Sequence, residues 1–275
     1  MPLGKKLAFL GTGNMAEALL KGLLRKGTAA PGEIVCAEPR AERRDEVKRL
    51  YGVQVTDDNR AAVAAAELVV LSVKPQVIEA VLAGIAPAVG PGHLFVSIVA
   101  GVPIAALAAR LPAGARVIRT MPNTPALVGE GATALSRGPH ATEADLALAR
   151  SLFEAVGLAV TVDEHLLDAV TGLSGSGPAY VFLAIEALAD GGVKAGLPRA
   201  TALTLAAQTV LGAARLVIDS GTHPAQLKDQ VTSPAGTTIA GVQALEARGY
   251  RAALMEAVEA AATRSRELGE KMRAK

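Results

Sequence analysis

The residues Gly11-Thr12-Gly13-Asn14-Met15-Ala16 follow a short apolar run (6–10) and precede an amphipathic segment. Between a strand and a helix, this spacing suits a turn that carries a dinucleotide pyrophosphate. Gly11 permits the tight bend, Gly13 lets the backbone approach the phosphates, and Ala16 allows the helix to pack closely. Unpaired N–H groups at the helix start then face the negative charge. An ordinary glycine-rich turn would show the same residues taken alone. Its place after the first strand, with a βαβ pattern continuing behind it, favours the cofactor reading. Glu38 lies about 20 residues further on, at the end of the second strand, where an acidic side chain accepts from the ribose hydroxyls of NAD. Arg40 is placed to pair a 2′-phosphate, which would select NADP. The choice between NADH and NADPH stays open. Ser72-Val73-Lys74-Pro75 closes another strand at the edge where doubly wound sheets hold ligands, so Lys74 is read as a contact to cofactor or substrate.

A second constellation lies further along. Ser174-Gly175-Ser176-Gly177-Pro178-Ala179-Tyr180 and Val231-Thr232-Ser233-Pro234-Ala235-Gly236-Thr237-Thr238 both read as hydroxyl- and glycine-rich helix starts. Small residues expose backbone N–H groups there, and the helix dipole favours an anion such as a carboxylate. Simple N-capping by Ser or Thr would explain one such site. Two of them, with Met121-Pro122-Asn123-Thr124-Pro125 after a strand, point to a ligand. No Ser-His-Asp order and no metal-ligand cluster stands out, so hydrolysis and metal chemistry find little support. Hydride transfer to an already protonated imine needs neither a protein nucleophile nor a strong protein acid.

These residues need a scaffold. The apolar runs 6–10, 33–38, 67–73, 93–99 and 115–120 alternate with helical stretches such as 41–50 and 76–86, the signature of βαβ units and a parallel sheet. The charge run 40–49 reads as the solvated face of a helix, Arg40 excepted. After about Asp163 strand-like runs vanish, and helices are expected over 176–194, 198–220, 224–231, 234–248 and 250–272. Several are apolar on more than one face, as in 210–218, which suggests burial against a second subunit. The two expected domains are therefore 1–163 and 164–275. With 28 Lys and Arg against 26 Asp and Glu, the formal charge of +2 is too balanced for a nucleic-acid binder or a polybasic membrane surface. Cys36 is the single cysteine, consistent with a reducing, cytoplasmic setting. No apolar run is expected to reach the roughly 20 residues of a membrane span.

GTGNMAEALLKGL, SVKPQ, SIVAGV, RTMPNTPALVGEG, LSGSGPAYVF, HPAQLKDQVTSPAGTTIAGV and RAALMEAV together, in order and over nearly the whole chain, resemble pyrroline-5-carboxylate reductase. The resemblance implies an α/β Rossmann-type N-terminal domain with a parallel sheet, followed by an all-α helical dimerisation domain. It implies reduction of L-1-pyrroline-5-carboxylate to L-proline with NADPH or NADH, the last step of proline biosynthesis. It further implies a homodimer through the helical domain, assembled into a larger ring such as a decamer, with the substrate loop coming from a neighbouring subunit. Carried over residue by residue, Gly11, Thr12, Gly13, Asn14 and Met15 would hold the pyrophosphate, and Asn59 the adenosine ribose or its phosphate. Val73, Lys74, Pro75, Ala100 and Gly101 would hold the nicotinamide half. The substrate would lie on Val231, Ser233, Gly236 and Thr237, with Thr238 hydrogen-bonding the ring nitrogen. No metal is implied.

Some positions depart from the family pattern. Ser220-Gly221-Thr222 stands before His223-Pro224 where members often carry a glutamate, and Ala235 replaces the first glycine of the usual SPGGT run. Glu38 replaces the small or basic residue of many NADPH-preferring relatives. Two alternative readings are a related imine reductase and a non-catalytic dinucleotide sensor. A β-hydroxyacid dehydrogenase would want a catalytic lysine in the second domain, and neither Lys194 nor Lys228 sits in a setting that argues for one.

Overall fold

The computed structural model describes residues 2–273. Chain order runs β1 (Leu7–Leu10), α1 (Asn14–Arg25), β2 (Ile34–Ala37), α2 (Ala41–Tyr51), β3 (Gln54–Thr56), α3 (Asn59–Ala64), β4 (Leu68–Leu71), α4 (Ile78–Ile85), β5 (Leu94–Ser97), α5 (Ile104–Ala108), β6 (Arg116–Met121), β7 (Gly131–Arg137), α6 (Glu143–Glu154) and β8 (Gly157–Thr161). Helices alone follow: α7 (Leu167–Val170), α8 (Gly177–Lys194), α9 (Arg199–Ser220), α10 (Pro224–Gln230), α11 (Thr237–Ala247) and α12 (Tyr250–Arg273).

The strands form one sheet of order β3-β2-β1-β4-β5-β6-β7-β8. It is parallel through β6, antiparallel between β6 and β7, and parallel again between β7 and β8. Central strands of such a sheet are covered on both faces and so read as unbroken apolar runs. β1 shows this directly: Leu7 and Phe9 join one core with Leu19, Leu23 and Phe153, while Ala8 and Leu10 join the other with Leu82, Ile85 and Phe95. The strand order reverses direction at β1, between β2 and β4, and the crevice for a ligand opens there at the strands' carboxyl ends. The five apolar runs of the sequence are β1, β2, β4, β5 and β6, and three further strands, β3, β7 and β8, extend the sheet beyond them.

The described residues form two compact units, 2–176 with 259–273, and 177–258. This differs from a division at 163/164, because α7 packs on β6 and β7, and α12 is held to α7 through Ser265 and Asp168. Among the described residues of the second unit, the buried apolar core is three alanines, Ala189, Ala202 and Ala206, flanked by Ile185 and Val193. Its surface carries large apolar side chains, including Phe182 (63% exposed), Ile218 (74%) and Met255 (72%). Such a surface exceeds what an isolated small unit leaves bare.

One expectation is overturned here. α9 is 22 residues long and apolar enough, by length and composition, to cross a membrane, contrary to the reading that no run approaches that length. Its alanines are dispersed among polar residues, so no unbroken apolar run marks it. Ala202 and Ala206 pack it onto α8, where a Cβ on Gly192 would lie 3.1 Å from that of Ala202. The expected helix over 234–248 also begins later, at Thr237, because residues 233–236 form a turn.

Candidate active site

The glycine turn leaves β1 with Gly11 at φ +94°, in the left-handed region that favours glycine. A Cβ there would lie 2.9 Å from the Ser72 carbonyl oxygen and 3.1 Å from Val73 Cγ1, so β4 also dictates glycine. The Ser72 hydroxyl donates to the carbonyls of Leu10 (2.9 Å) and Gly11 (2.7 Å), tying the two strand ends together. Gly13 differs. Its backbone is ordinary (φ −70°, ψ 176°), and a Cβ there would meet nothing within 4 Å. The fold itself places no demand for glycine at 13. The first backbone bond into α1 runs from Glu17 N–H to Gly13 O at 3.0 Å, and no side chain caps the helix. The N–H groups of residues 13–16 are thus left without protein partners among the described residues.

Thr12 is buried, and its N–H and hydroxyl both donate to Glu38 Oε2, at 3.2 and 2.9 Å. Arg40 Nε donates to the other carboxylate oxygen at 2.7 Å. Glu38 and Arg40, which point to different cofactors in the sequence, therefore form one ion pair at the tip of β2. Only 5% of Glu38 is exposed. Burial pushes its carboxyl pKa up, but the hydrogen bonds from Arg40 and Thr12 outweigh this and hold it below the ordinary glutamate value. Asn59 opens α3, half-buried, three residues beyond β3, whose last carbonyl, on Thr56, accepts the Glu38 N–H at 3.0 Å. Cys36, within β2 and two residues before Glu38, is buried and its thiol is pushed up to about 12, which leaves it inert.

At the β4 end, Val73 packs on the glycine turn, Lys74 is exposed, and Pro75 begins a short turn into α4. Pro75, Ala100 and Gly101 line a cavity of about 550 Å³ together with Thr171, Ser176 and Ser265. Gly101 adopts φ +72°, and a Cβ on it would lie 3.6 Å from Leu268 Cβ. Ser265 donates to Asp168 Oδ1 at 2.7 Å, which fastens α12 to α7 beside the cavity. These α12 and α7 residues carry no motif, so the sequence gives no sign of them.

Residues 174–180 do lead into a helix, α8, which begins at Gly177, but the Ser176 N–H is not free. Residues 171–175 form a π-helical turn that joins α7 to α8, and the Ser176 N–H donates to the Thr171 carbonyl at 2.8 Å. The Met121–Pro125 segment has a structural part in the same place. Asn123 Nδ2 donates to the Ser174 carbonyl (3.0 Å), and its Oδ1 accepts from Ala132 N–H (2.8 Å).

In the second unit the other hydroxyl-rich segment is a free helix start. Gly236 caps α11 with its backbone alone, and no side chain caps the helix. Thr232 returns its hydroxyl to the Lys228 carbonyl (2.6 Å), whereas those of Ser233, Thr237 and Thr238 take no partner among the described residues. Val231 is 62% exposed and Thr238 half-buried. A Cβ on Gly236 would collide with the Ser233 hydroxyl, which therefore lies directly over the helix start. Further upstream, Thr222 N–H donates to the Ser220 hydroxyl (3.1 Å), and His223 Nδ1 accepts from Ala225 N–H (3.2 Å) to cap α10.

Ala235 is the one non-glycine residue at positive φ (56°) among the described residues. The turn keeps the left-handed backbone that a glycine would take there without strain. Ala235→Gly is expected to stabilise the protein by about 0.5–1 kcal/mol, the relief of left-handed strain less the greater entropy of an unfolded glycine. A thermal melt unchanged or lowered by this substitution would contradict the assignment.

Comparison with known proteins fits this geometry. The family model described as "Pyrroline-5-carboxylate reductase dimerisation" matches residues 164–268, and that described as "NADP oxidoreductase coenzyme F420-dependent" matches residues 6–101. A pyrroline-5-carboxylate reductase of Synechocystis sp. is 53% identical over 266 residues, covering 97% of this chain and 99% of the relative. The chain belongs to the pyrroline-5-carboxylate reductase family. The structure of a pyrroline-5-carboxylate reductase from Coxiella burnetii superposes with a TM-score of 0.91 at 37% identity, covering 96% of this chain and 98% of that one. The Plasmodium falciparum pyrroline carboxylate reductase, solved with NADP bound, gives 0.88 at 32% identity over 98% and 100% of the two chains. Residues 164–268 are thus this reductase family's dimerisation domain.

Proposed function

We infer that this chain is a pyrroline-5-carboxylate reductase, reducing L-1-pyrroline-5-carboxylate to L-proline with NADPH or NADH as the last step of proline biosynthesis. The observation that carries the reading is a near full-length likeness to such reductases in a chain whose two helix starts, at α1 and α11, both keep their donors unclaimed. Purified protein supplied with the imino acid and NADH or NADPH is expected to form proline with matching loss of the reduced nicotinamide's absorbance. Absence of both would refute it.

The assignment of parts follows the chemistry. Gly11, Thr12, Gly13, Asn14 and Met15 form the pyrophosphate turn, with Thr12 acting through Glu38. Glu38, Arg40 and Asn59 serve the adenosine ribose. Val73, Lys74, Pro75, Ala100 and Gly101 serve the nicotinamide half, beside the cavity. Bound there, the reduced nicotinamide supplies a hydride equivalent. In the helical domain Val231, Ser233, Gly236 and Thr237 receive the substrate carboxylate, for which N–H groups and the positive helix end are the matched partners. The Thr238 hydroxyl orients the ring nitrogen. The substrate arrives as an iminium, so its carbon takes the hydride and its nitrogen keeps the proton already there. Orientation, not acidity, is what the protein adds. Thr238→Ala is expected to lower turnover about tenfold to a hundredfold while leaving NADH affinity within twofold. An equal loss of cofactor binding would contradict the assignment.

The functional division is taken at 163/164, where the dimerisation match begins. The exposed apolar faces of α8, α9 and α12 support a homodimer through this domain, in which a protein partner covers the apolar length of α9. Dimers assemble further into a decamer, so light scattering should report ten times the 27.9 kDa chain mass. A mass at one chain would refute the pairing, and a mass at two would refute the ring. The charge balance argues against a nucleic-acid partner, and a single buried thiol suits the cytoplasm.

A further inference from the structure

Arg43 sits in the first turn of α2, inside the charge run that reads as a solvated helix face. Its side chain is only 15% exposed. The guanidinium turns inward: Nε and Nη2 both donate to the Thr12 carbonyl oxygen, at 3.1 and 3.0 Å. Nη2 also pairs closely with Glu17 Oε2, and Nη1 donates to Glu46 Oε2 at 2.7 Å. Glu17, in the first turn of α1, accepts the Tyr51 hydroxyl on its other oxygen at 2.6 Å. A chain of contacts thus runs from Tyr51 through Glu17 and Arg43 to the backbone of the glycine turn.

The contact matters because of what lies on the far side of that peptide. The structure contains no cis peptide bond among the described residues, so the Thr12 C=O and the Gly13 N–H point in opposite directions. Holding the carbonyl on Arg43 aims the Gly13 N–H away from α2, into the open space over the start of α1. Thr12 N–H is meanwhile held by Glu38. Both peptide units of Thr12 are therefore fixed, one from the end of β2 and one from α2. The same guanidinium neutralises Glu17, whose charge lies in the first turn of α1.

We propose that Arg43 is a positioning residue for the dinucleotide, which acts through the Thr12 carbonyl to present the Gly13 N–H to the pyrophosphate. The proposal rests on the reading of the glycine turn as the cofactor site. Planar, two-pronged donation is what the guanidinium contributes, and a lysine ammonium cannot reproduce it.

The test is fluorescence titration of the full-length protein with NADH in the absence of substrate, together with steady-state kinetics, for Arg43→Met, Arg43→Lys and the double variant Arg43→Met/Glu17→Gln. Arg43→Met is expected to raise the NADH dissociation constant and KM about 30-fold, with kcat at saturating cofactor and the KM for the imino acid within about twofold. Arg43→Lys is expected to recover less than half of that loss on a logarithmic scale, and it decides the matter if the methionine variant fails to fold. The double variant is expected to stay as weak as Arg43→Met. Recovery of wild-type affinity in it would show that Arg43 merely neutralises Glu17, and would overturn the proposal. So would wild-type affinity in Arg43→Met or Arg43→Lys. Failure of the underlying reading looks different, because a bulky residue at Gly13 would then leave NADH binding untouched as well.

Discussion

Gly13→Val is expected to weaken NADH and NADPH binding about 100-fold, a cost of roughly 2.7 kcal/mol, while the thermal melt moves by no more than about 2 °C. The two halves of this expectation come from separate observations. The backbone at Gly13 lies at φ −70° and ψ 176°, which valine adopts without strain, and its Cβ would touch nothing within 4 Å. Folding is therefore indifferent to the side chain. The same space is where a pyrophosphate would meet the unclaimed N–H groups of α1, and branched methyl groups there hold the phosphates off. Gly11 provides the contrast. A side chain there would press on the Ser72 carbonyl at a positive φ, so Gly11→Val should lower the melting temperature along with binding. Titration and melting of the Gly13 variant check the claim. A large loss of stability, or unchanged cofactor affinity, would contradict it.

Glu38→Gln is expected to shift the ratio of kcat/KM for NADPH over NADH about tenfold to a hundredfold towards NADPH, or 1.4–2.7 kcal/mol. The carboxylate is ionised, since its hydrogen bonds to Arg40 and Thr12 hold its pKa low despite burial. At the tip of β2 it would accept from ribose hydroxyls and repel a 2′-phosphate, and glutamine keeps its shape while removing the charge. The change also frees Arg40, now engaged through Nε, to meet the phosphate. Steady-state kinetics with both cofactors checks this. An unchanged ratio would mean that Glu38 does not face the ribose.

How far the sequence reaches depends on how each element is buried. β1, β2, β4 and β5 are covered on both faces, so each is a continuous apolar run and reads as a strand. β3 at one edge is three residues long and half-exposed. β8 at the other edge exposes Leu158 and Val160, and β7 is built largely of small residues. None of these three leaves a strong apolar trace. The same logic governs the site. Gly11 is legible because its positive φ and the nearby Ser72 carbonyl restrict it to glycine, and Gly13 because it follows at the spacing of a phosphate-binding turn. The free start of α11 is legible in its hydroxyl- and glycine-rich composition, although at residues 174–180, which read similarly, only the fold shows that a π-turn takes the Ser176 N–H. Arg43 is invisible in a run of charges, where nothing local distinguishes an inward guanidinium from a solvated one. Ser265 and Leu268 reach the cavity only through tertiary packing of α12.

The central claim is that hydride passes from the nicotinamide to the imine carbon of pyrroline-5-carboxylate. Reaction of the imino acid with cofactor carrying deuterium at the transferable nicotinamide position tests it most directly, with the proline product examined by mass spectrometry and NMR. The account predicts proline with a single deuterium at C5. Proline without deuterium, or cofactor oxidation without proline, would contradict it.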